Sequence, residues 1–314
     1  MMSEEIYEWG LSVIAAVQKI KSPFMTAFME GVSFFGDPIF YLIVVALMFW
    51  CIDSRKGFKL GTVIIFSGAL NSAIKQTLQV PRPFVRDPSV FVVEESGFST
   101  PSGHSQGSAS FYPVASSIFV RGKNIINRAT RILLATLAPL LIGFSRIYLG
   151  VHYPTDVLLG LTIGFLTATG TLLFWDDVEK KLAPLRKSLK ILILAFVCLV
   201  LNYFCDNDTS MSGLLFGFVG GNIFMNEKNG FDASSGTFTR KTLRLVLGLA
   251  VVALVYALLK MLFSFVGWGT EQSELYSLCR FIRYCATGIA ASCIAPMLFV
   301  RMNLAACSTR SKED

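Results

Sequence analysis

The 314-residue sequence predicts an all-α fold, a polytopic bundle of membrane helices. Three observations carry that reading. Apolar stretches recur along the whole chain, each near the ~20 residues that cross a bilayer core. The composition is 53% hydrophobic and 16% charged, with a mean hydropathy of +0.58, whereas a soluble domain carries roughly 25% charged residues. Lys and Arg gather in alternate connecting segments, as membrane sidedness requires.

Ten segments qualify as spans: 22–37, 39–53, 59–80, 104–120, 131–149, 155–175, 190–205, 211–226, 245–266 and 280–300. The first carries Glu30 and Gly31 and is the poorest match to a span. The stretch 6–20 before it reads as an interfacial amphipathic helix. The third ends in KQTLQVPRP and the fourth opens on PSGH. The fifth runs into SRIYLGVHYPTD, and Pro154 opens the sixth at a position where proline suits a first helical turn. The acidic N-terminal MMSEEIYEWG has no basic region followed by a small-residue cleavage site, so no cleaved signal peptide is expected and the first spans act as their own insertion signal.

With the N-terminus on the cytoplasmic side, the inside segments hold twenty-one of the 28 Lys and Arg residues, while the opposite loops CDNDTS and GWGTEQSELYS hold none. The formal charge of +7 is thereby explained by sidedness, and no nucleic-acid partner is expected. Seven cations break the pattern. Lys260, Arg280 and Arg283 lie near outer ends of late spans, where long side chains snorkel to headgroups. Lys75, Arg82, Arg86 and Arg146 cluster around the chain's two histidines, His104 and His152. Charges at the wrong side or inside spans are costly and usually functional.

His152 and Asp156 are four residues apart, which places them on one helix face. A carboxylate there holds one imidazole nitrogen as N–H and leaves the other as a lone-pair nucleophile. A helix-start histidine with an incidental partner is the plainer reading of that block alone. Lys75, Arg82 and Arg146 supply three cations, two of them planar forks suited to phosphate oxygens. In PSGH, Ser102 offers a hydroxyl, Gly103 admits close backbone approach to an anion, and His104 can protonate a departing oxygen. By itself PSGH also reads as an ordinary turn and helix N-cap. Taken together, on one membrane face, the three blocks suit phosphoryl transfer: cations for the spread charge, an in-line nucleophile and a leaving-group acid. No carboxylate cluster suggests a metal, and no cofactor is expected.

These blocks match K-x6-RP, PSGH and SR-x5-H-x3-D, the three-part signature of the type 2 phosphatidic acid phosphatase superfamily. Every position is present, as Lys75, Arg82, Pro83, Pro101, Ser102, Gly103, His104, Ser145, Arg146, His152 and Asp156. The resemblance implies a metal-independent membrane phosphatase acting on lipid phosphates or diphosphates through a phosphohistidine, with His152 as nucleophile, His104 as acid and base, and a site facing the periplasm, exterior or organelle lumen. The phrases VHYPTD and PSGHSQ look bacterial, which places the chain in a bacterial inner membrane with an undecaprenyl diphosphate-like or phosphatidylglycerophosphate-like substrate. Within the intervening loop, Arg86, Glu94 and Glu95 read as solvated charges or headgroup selectors, and Phe91 to Val93 as residues dipping into the interface.

The expected organisation is a six-helix catalytic core over 1–175 and four further C-terminal transmembrane helices over 176–314. The latter carry no further motif. Gly213, Gly217 and Gly221 recur at four-residue intervals, a small-residue stripe for close helix packing, for a homodimer seam or for a wall of a lipid entry groove. The sequon at Asn207 sits too near the bilayer to weigh. Seven cysteines, odd in number and without CxxC spacing, read as packing residues. Two alternatives to hydrolysis stay open: phosphotransfer to a second lipid, and a non-catalytic lipid transporter or scaffold that keeps a phosphate site.

Overall fold

The computed structural model describes residues 4–120, 124–205, 208–227 and 230–308. Arg121, Lys123, Asn207, Lys228, Arg310 and Lys312, which enter the charge count and the sequon above, lie outside them. Every named element among the described residues is helical, as the composition predicts. Five helices are individually long and apolar enough to cross a bilayer, and a bent pair makes a sixth.

The chain divides into two compact units, Met1–Tyr41 with Leu70–Asp177, and Leu42–Ala69 with Val178–Asp314. The first unit begins with α1, Glu4–Val17. Its Tyr7 and Ile14 are buried with Val90 and Tyr153, so α1 packs on protein. α2, Pro23–Phe34, starts at Ser22, whose hydroxyl accepts from Met25 N at 3.2 Å. α3, Pro38–Leu47, continues as a wider turn to Ile52. α4, Ser54–Leu78, links the two units. α5, Pro83–Arg86, is one turn in the loop that follows. α6 is Gly103–Phe119, α7 Ile125–Tyr148 and α8 Pro154–Leu182. Glycines bring these last three together: a Cβ on Gly160 would sit 2.7 Å from Ser102 O, and one on Gly143 2.8 Å from Val157.

Over the stretch 22–53 the helices differ from the two separate spans of the sequence reading. Two spans are predicted there, but α2 and α3 form one bent pair with a 44° break. Their contacts run steadily away from the end of α7. Thr26 meets Tyr148 at 3.0 Å, Ser33 meets Arg146 at 2.6 Å, Gly36 abuts Ile142 and His104, and Tyr41 stacks on Phe111. α1 precedes them at the α7 C-terminal end, where Gln18 donates to Val90 O and Tyr148 O. The N-terminal helix and His152 therefore share one end of this unit, whereas ten spans would put them on opposite sides. α6, at 17 residues, falls short of the length of a full span; Ser105, Gln106, Ser108 and Ser110 are buried along it.

In the second unit, α9 is Lys187–Tyr203, α10 Ser210–Glu227, α11 Phe238–Phe265 and α12 Tyr276–Ile289, which passes through Ala290–Ile294 into α13, Ala295–Arg301. The glycine stripe of α10 faces α12: a Cβ on Gly213 would lie 2.6 Å from Phe281 O, and one on Gly217 would overlap the Cys285 carbonyl. The stripe is used for internal packing. Arg280 is paired with Asp208 at 2.9 Å, and Arg283 lies against the Tyr256 and Tyr284 rings, so both outer cations are held by neighbours rather than simply snorkelling. The seven cysteines are free thiols, and five of them are buried.

Candidate active site

All the predicted site residues fall in the first unit. His152 lies in the turn between α7 and α8. Gly150 makes that turn possible: its φ is +71°, and a Cβ there would collide with the Val90 carbonyl, so a side chain is excluded both by backbone and by space. Pro154 then opens α8, and two residues later Asp156 returns to its first turn, accepting from Tyr153 N at 2.8 Å.

His152 and Asp156 are completely buried, with Nδ1 of the imidazole 3.5 Å from Asp156 Oδ2. Asp156 is saturated with donors. Ser99 Oγ reaches Oδ2 at 2.5 Å and Thr100 Oγ1 bonds Oδ1. Ser99 Oγ is also 3.3 Å from His152 Nδ1. The other ring nitrogen, Nε2, faces Arg82 Nη1 at 3.3 Å. An acceptor beside Nδ1 and a permanent donor beside Nε2 fix the tautomer: the proton sits on Nδ1 and the lone pair on Nε2. Burial, followed by the nearby charges of Lys75, Arg82, Arg146 and His104, holds the His152 pKa well below the ordinary imidazole value.

Arg82 is nearly immobile. Its Nε donates to Gly97 O at 3.0 Å, Nη1 to Val151 O at 3.0 Å and Nη2 to Ser96 O at 2.7 Å. Arg146 donates from Nη1 to Ser33 Oγ. Lys75 Nζ donates to Phe98 O at 3.0 Å. Between the two arginines lies the Glu95 carboxylate, with Oε1 3.3 Å from Arg82 Nη2 and Oε2 paired with Arg146 Nη2. The sequence reading offers Glu95 mainly as a solvated loop charge; the fold places it on the two guanidinium groups instead. Arg86 pairs with Glu4 at 2.7 Å and covers the Tyr7 ring, so it ties α1 to the loop. Val92 and Val93 pack against the Met29–Tyr148 cluster.

PSGH forms the start of α6. The Ser102 hydroxyl accepts from Ser105 Oγ at 2.9 Å and caps the helix, the ordinary N-cap role. Its backbone N donates to Asp156 O at 3.0 Å, joining the PSGH and His152 segments. Gly103 lies beside Asn71, whose amide bonds Gln106 at 2.8 Å. His104 is half-buried, with Nε2 4.0 Å from Asp37 Oδ2 at the break between α2 and α3. Sequence reasoning misses Asp37, Ser99 and Thr100 as site neighbours and leaves Glu95 between a solvated charge and a headgroup selector; the one local signal is that Ser99 and Thr100 directly precede PSGH. Among the described residues no three His, Cys, Asp or Glu side chains are grouped to hold a metal ion.

Two family models match the chain. Residues 56–180 match the model of the PAP2 superfamily, and residues 209–307 match one described as PAP2 superfamily phosphatase, transmembrane extension. Phosphatidylglycerophosphatase B of Bacillus subtilis is 32% identical over 161 residues, 49% of this chain and 77% of that protein. Lipid phosphate phosphatase delta of Arabidopsis thaliana is 30% identical over 184 residues, 55% of this chain but only 43% of that protein. The crystal structure of a transmembrane PAP2-type phosphatidylglycerolphosphate phosphatase from Bacillus subtilis is similar with a TM-score of 0.51 at 28% identity, covering 56% of this chain and 89% of that one.

Proposed function

The chain belongs to the PAP2 superfamily and is a multi-pass membrane phosphatase of lipids, and from that premise we propose how its residues carry out hydrolysis. His152 Nε2 attacks the phosphorus of a lipid phosphate or diphosphate. The bond from phosphorus to the leaving oxygen breaks as His104 gives that oxygen its proton, and a phosphohistidine forms. His104 then takes a proton from water, the hydroxide attacks phosphorus, the P–N bond breaks, and inorganic phosphate leaves with His152 restored. Asp156 holds Nδ1–H throughout. Arg82, Arg146 and Lys75 neutralise the equatorial oxygens, with the N–H groups at Ser102 and Gly103 as further donors, so no metal is required for that task.

The single observation behind this reading is the orientation of His152, with Asp156 on Nδ1 and Arg82 on Nε2. The nitrogen left with a lone pair is the one beside a phosphate-binding cation. We assign chemistry to 1–175, and an accessory role to 176–314. The site faces the side opposite most Lys and Arg residues, the periplasmic face if the membrane is a bacterial inner membrane, and the charge pattern leaves no reason to invoke nucleic acid.

The test uses the purified chain in detergent with phosphatidate and isoprenyl diphosphates. Phosphate release in EDTA, abolished by His152→Ala, is the expected result. Binding without release by the unaltered protein would establish a carrier instead. Loss of activity in EDTA and its return with a divalent ion would overturn the metal-free step. Appearance of phosphate on a second lipid rather than in solution would identify a phosphotransferase.

A further inference from the structure

Resting on that reading, we infer that Glu95 sets headgroup selectivity: its carboxylate holds the phosphate subsite against singly charged phosphodiester lipids and yields it to doubly charged phosphomonoesters and diphosphates. The argument begins with what surrounds the enzyme. A bilayer presents phosphodiester headgroups in vast excess over any phosphomonoester, and a pocket of bare cations would fill with them. Arg82 and Arg146 are the two buried guanidinium groups of the site, 2% and 4% exposed. Each places Nη2 on one oxygen of the same carboxylate. Glu95 is therefore an internal anion where substrate oxygens have to bind.

The exchange is decided by charge. A phosphodiester carries one negative charge, so replacing Glu95 with it trades one monoanion for another and loses two charge-assisted contacts already made. A phosphomonoester dianion or a diphosphate brings extra negative charge to the same fixed cations. Arg82 cannot follow a departing carboxylate, because Gly97, Ser96 and Val151 carbonyls hold it. Glu95 can depart by rotating its side chain, which is 26% exposed, while the Ser96 and Gly97 carbonyls beside it stay on Arg82. The mobile partner is the acid, and the cations stay.

The experiment measures phosphatidate hydrolysis by the full chain in mixed micelles while phosphatidylglycerol, a monoanionic diester, replaces phosphatidylcholine. The unaltered protein is expected to show little rise in apparent KM. Glu95→Gln is expected to bind phosphatidylglycerol on the order of tenfold more tightly or better, the scale of a charge-assisted contact. Glu95→Asp, which keeps the charge but shortens the reach, falls between them. The same competition, read as displacement of labelled phosphatidate from the His152→Ala protein, needs no turnover. Failure of hydrolysis in the unaltered chain thus counts against the phosphatase reading, while the displacement assay still decides selectivity. An unchanged inhibition constant in Glu95→Gln, or a fall in kcat with that constant unmoved, overturns the inference.

Discussion

Asp156 Oδ2 lies 3.5 Å from His152 Nδ1, and neither side chain is exposed at all. The carboxylate also accepts from Ser99, Thr100 and the Tyr153 amide, so every neighbour of Asp156 is a donor. Asp156→Asn sets an NH2 group against those donors and removes the acceptor that fixes the imidazole tautomer. The expected result is a fall in kcat on the order of 10³-fold or more, by analogy with orienting carboxylates elsewhere, with KM changed far less. A variant retaining kcat within about tenfold would remove Asp156 from the orienting role assigned to it.

Acidity gives a second test. Burial and the charges of Lys75, Arg82, Arg146 and His104 keep His152 neutral to well below the ordinary imidazole range. Because the nucleophile must be unprotonated, the acid limb of the kcat/KM profile is expected well under pH ~6.5. Lys75→Gln removes one of those charges and moves the limb to higher pH. Stability follows the same sign. Below about pH 6.5 the unfolded chain binds a proton that folded His152 refuses, so the melting temperature falls on acidification until the folded pKa is reached. His152→Asn flattens that fall. A limb at or above the ordinary value in the unaltered protein would contradict the buried, cation-flanked environment.

Much of this site is legible in sequence, because its chemistry is written in residue types that an apolar chain otherwise avoids. Two histidines and four misplaced cations stand out against helices of Leu, Phe and Gly. Their assembly is also foreseeable, since the three blocks recur at the same ends of consecutive helices. Asp37, Ser99 and Thr100 are not visible in that way, and Glu95 stays between two readings. A loop glutamate reads as solvated until Arg82 and Arg146, from separate elements, are brought against it. The two spans read over the α2–α3 break have a local reason: Phe-Phe-Gly-Asp-Pro has the residues of a turn, and a turn there predicts two spans. Phe34 and Phe35 pack on Phe40 across the break and hold α2 and α3 as one bent pair, and no local pattern reports that.

The glycine stripe of α10 makes a stability prediction. Gly217→Val introduces a branched side chain where even a Cβ overlaps the Cys285 carbonyl. Overpacking of a fitted interface costs about 1–3 kcal/mol, and here the obstacle is backbone of α12, which cannot rotate aside. The melting temperature in detergent is expected to fall by several degrees. Gly170→Ala on α8, where nothing lies within 4 Å, serves as the contrast and leaves it unchanged or slightly raised. Equal melting of the two variants would mean that α10 and α12 are not held at this distance.

The placement of α1 predicts membrane sidedness. Glu4 pairs with Arg86, Tyr7 packs on Tyr153, and Gln18 bonds the Val90 and Tyr148 carbonyls, so α1 lies at the His152 end of its unit. α8 begins at that end and runs for 29 residues, about 43 Å of helix, which takes Asp176 to the other end. In a cysteine-free background, Ser12→Cys and Ser89→Cys are both exposed positions at the site end. A membrane-impermeant maleimide applied to whole cells is expected to label both, and to label Asp176→Cys only after permeabilisation. Labelling of Ser12→Cys together with Asp176→Cys, and apart from Ser89→Cys, would restore two separate spans over 22–53 and return the N-terminus to the cytoplasmic side.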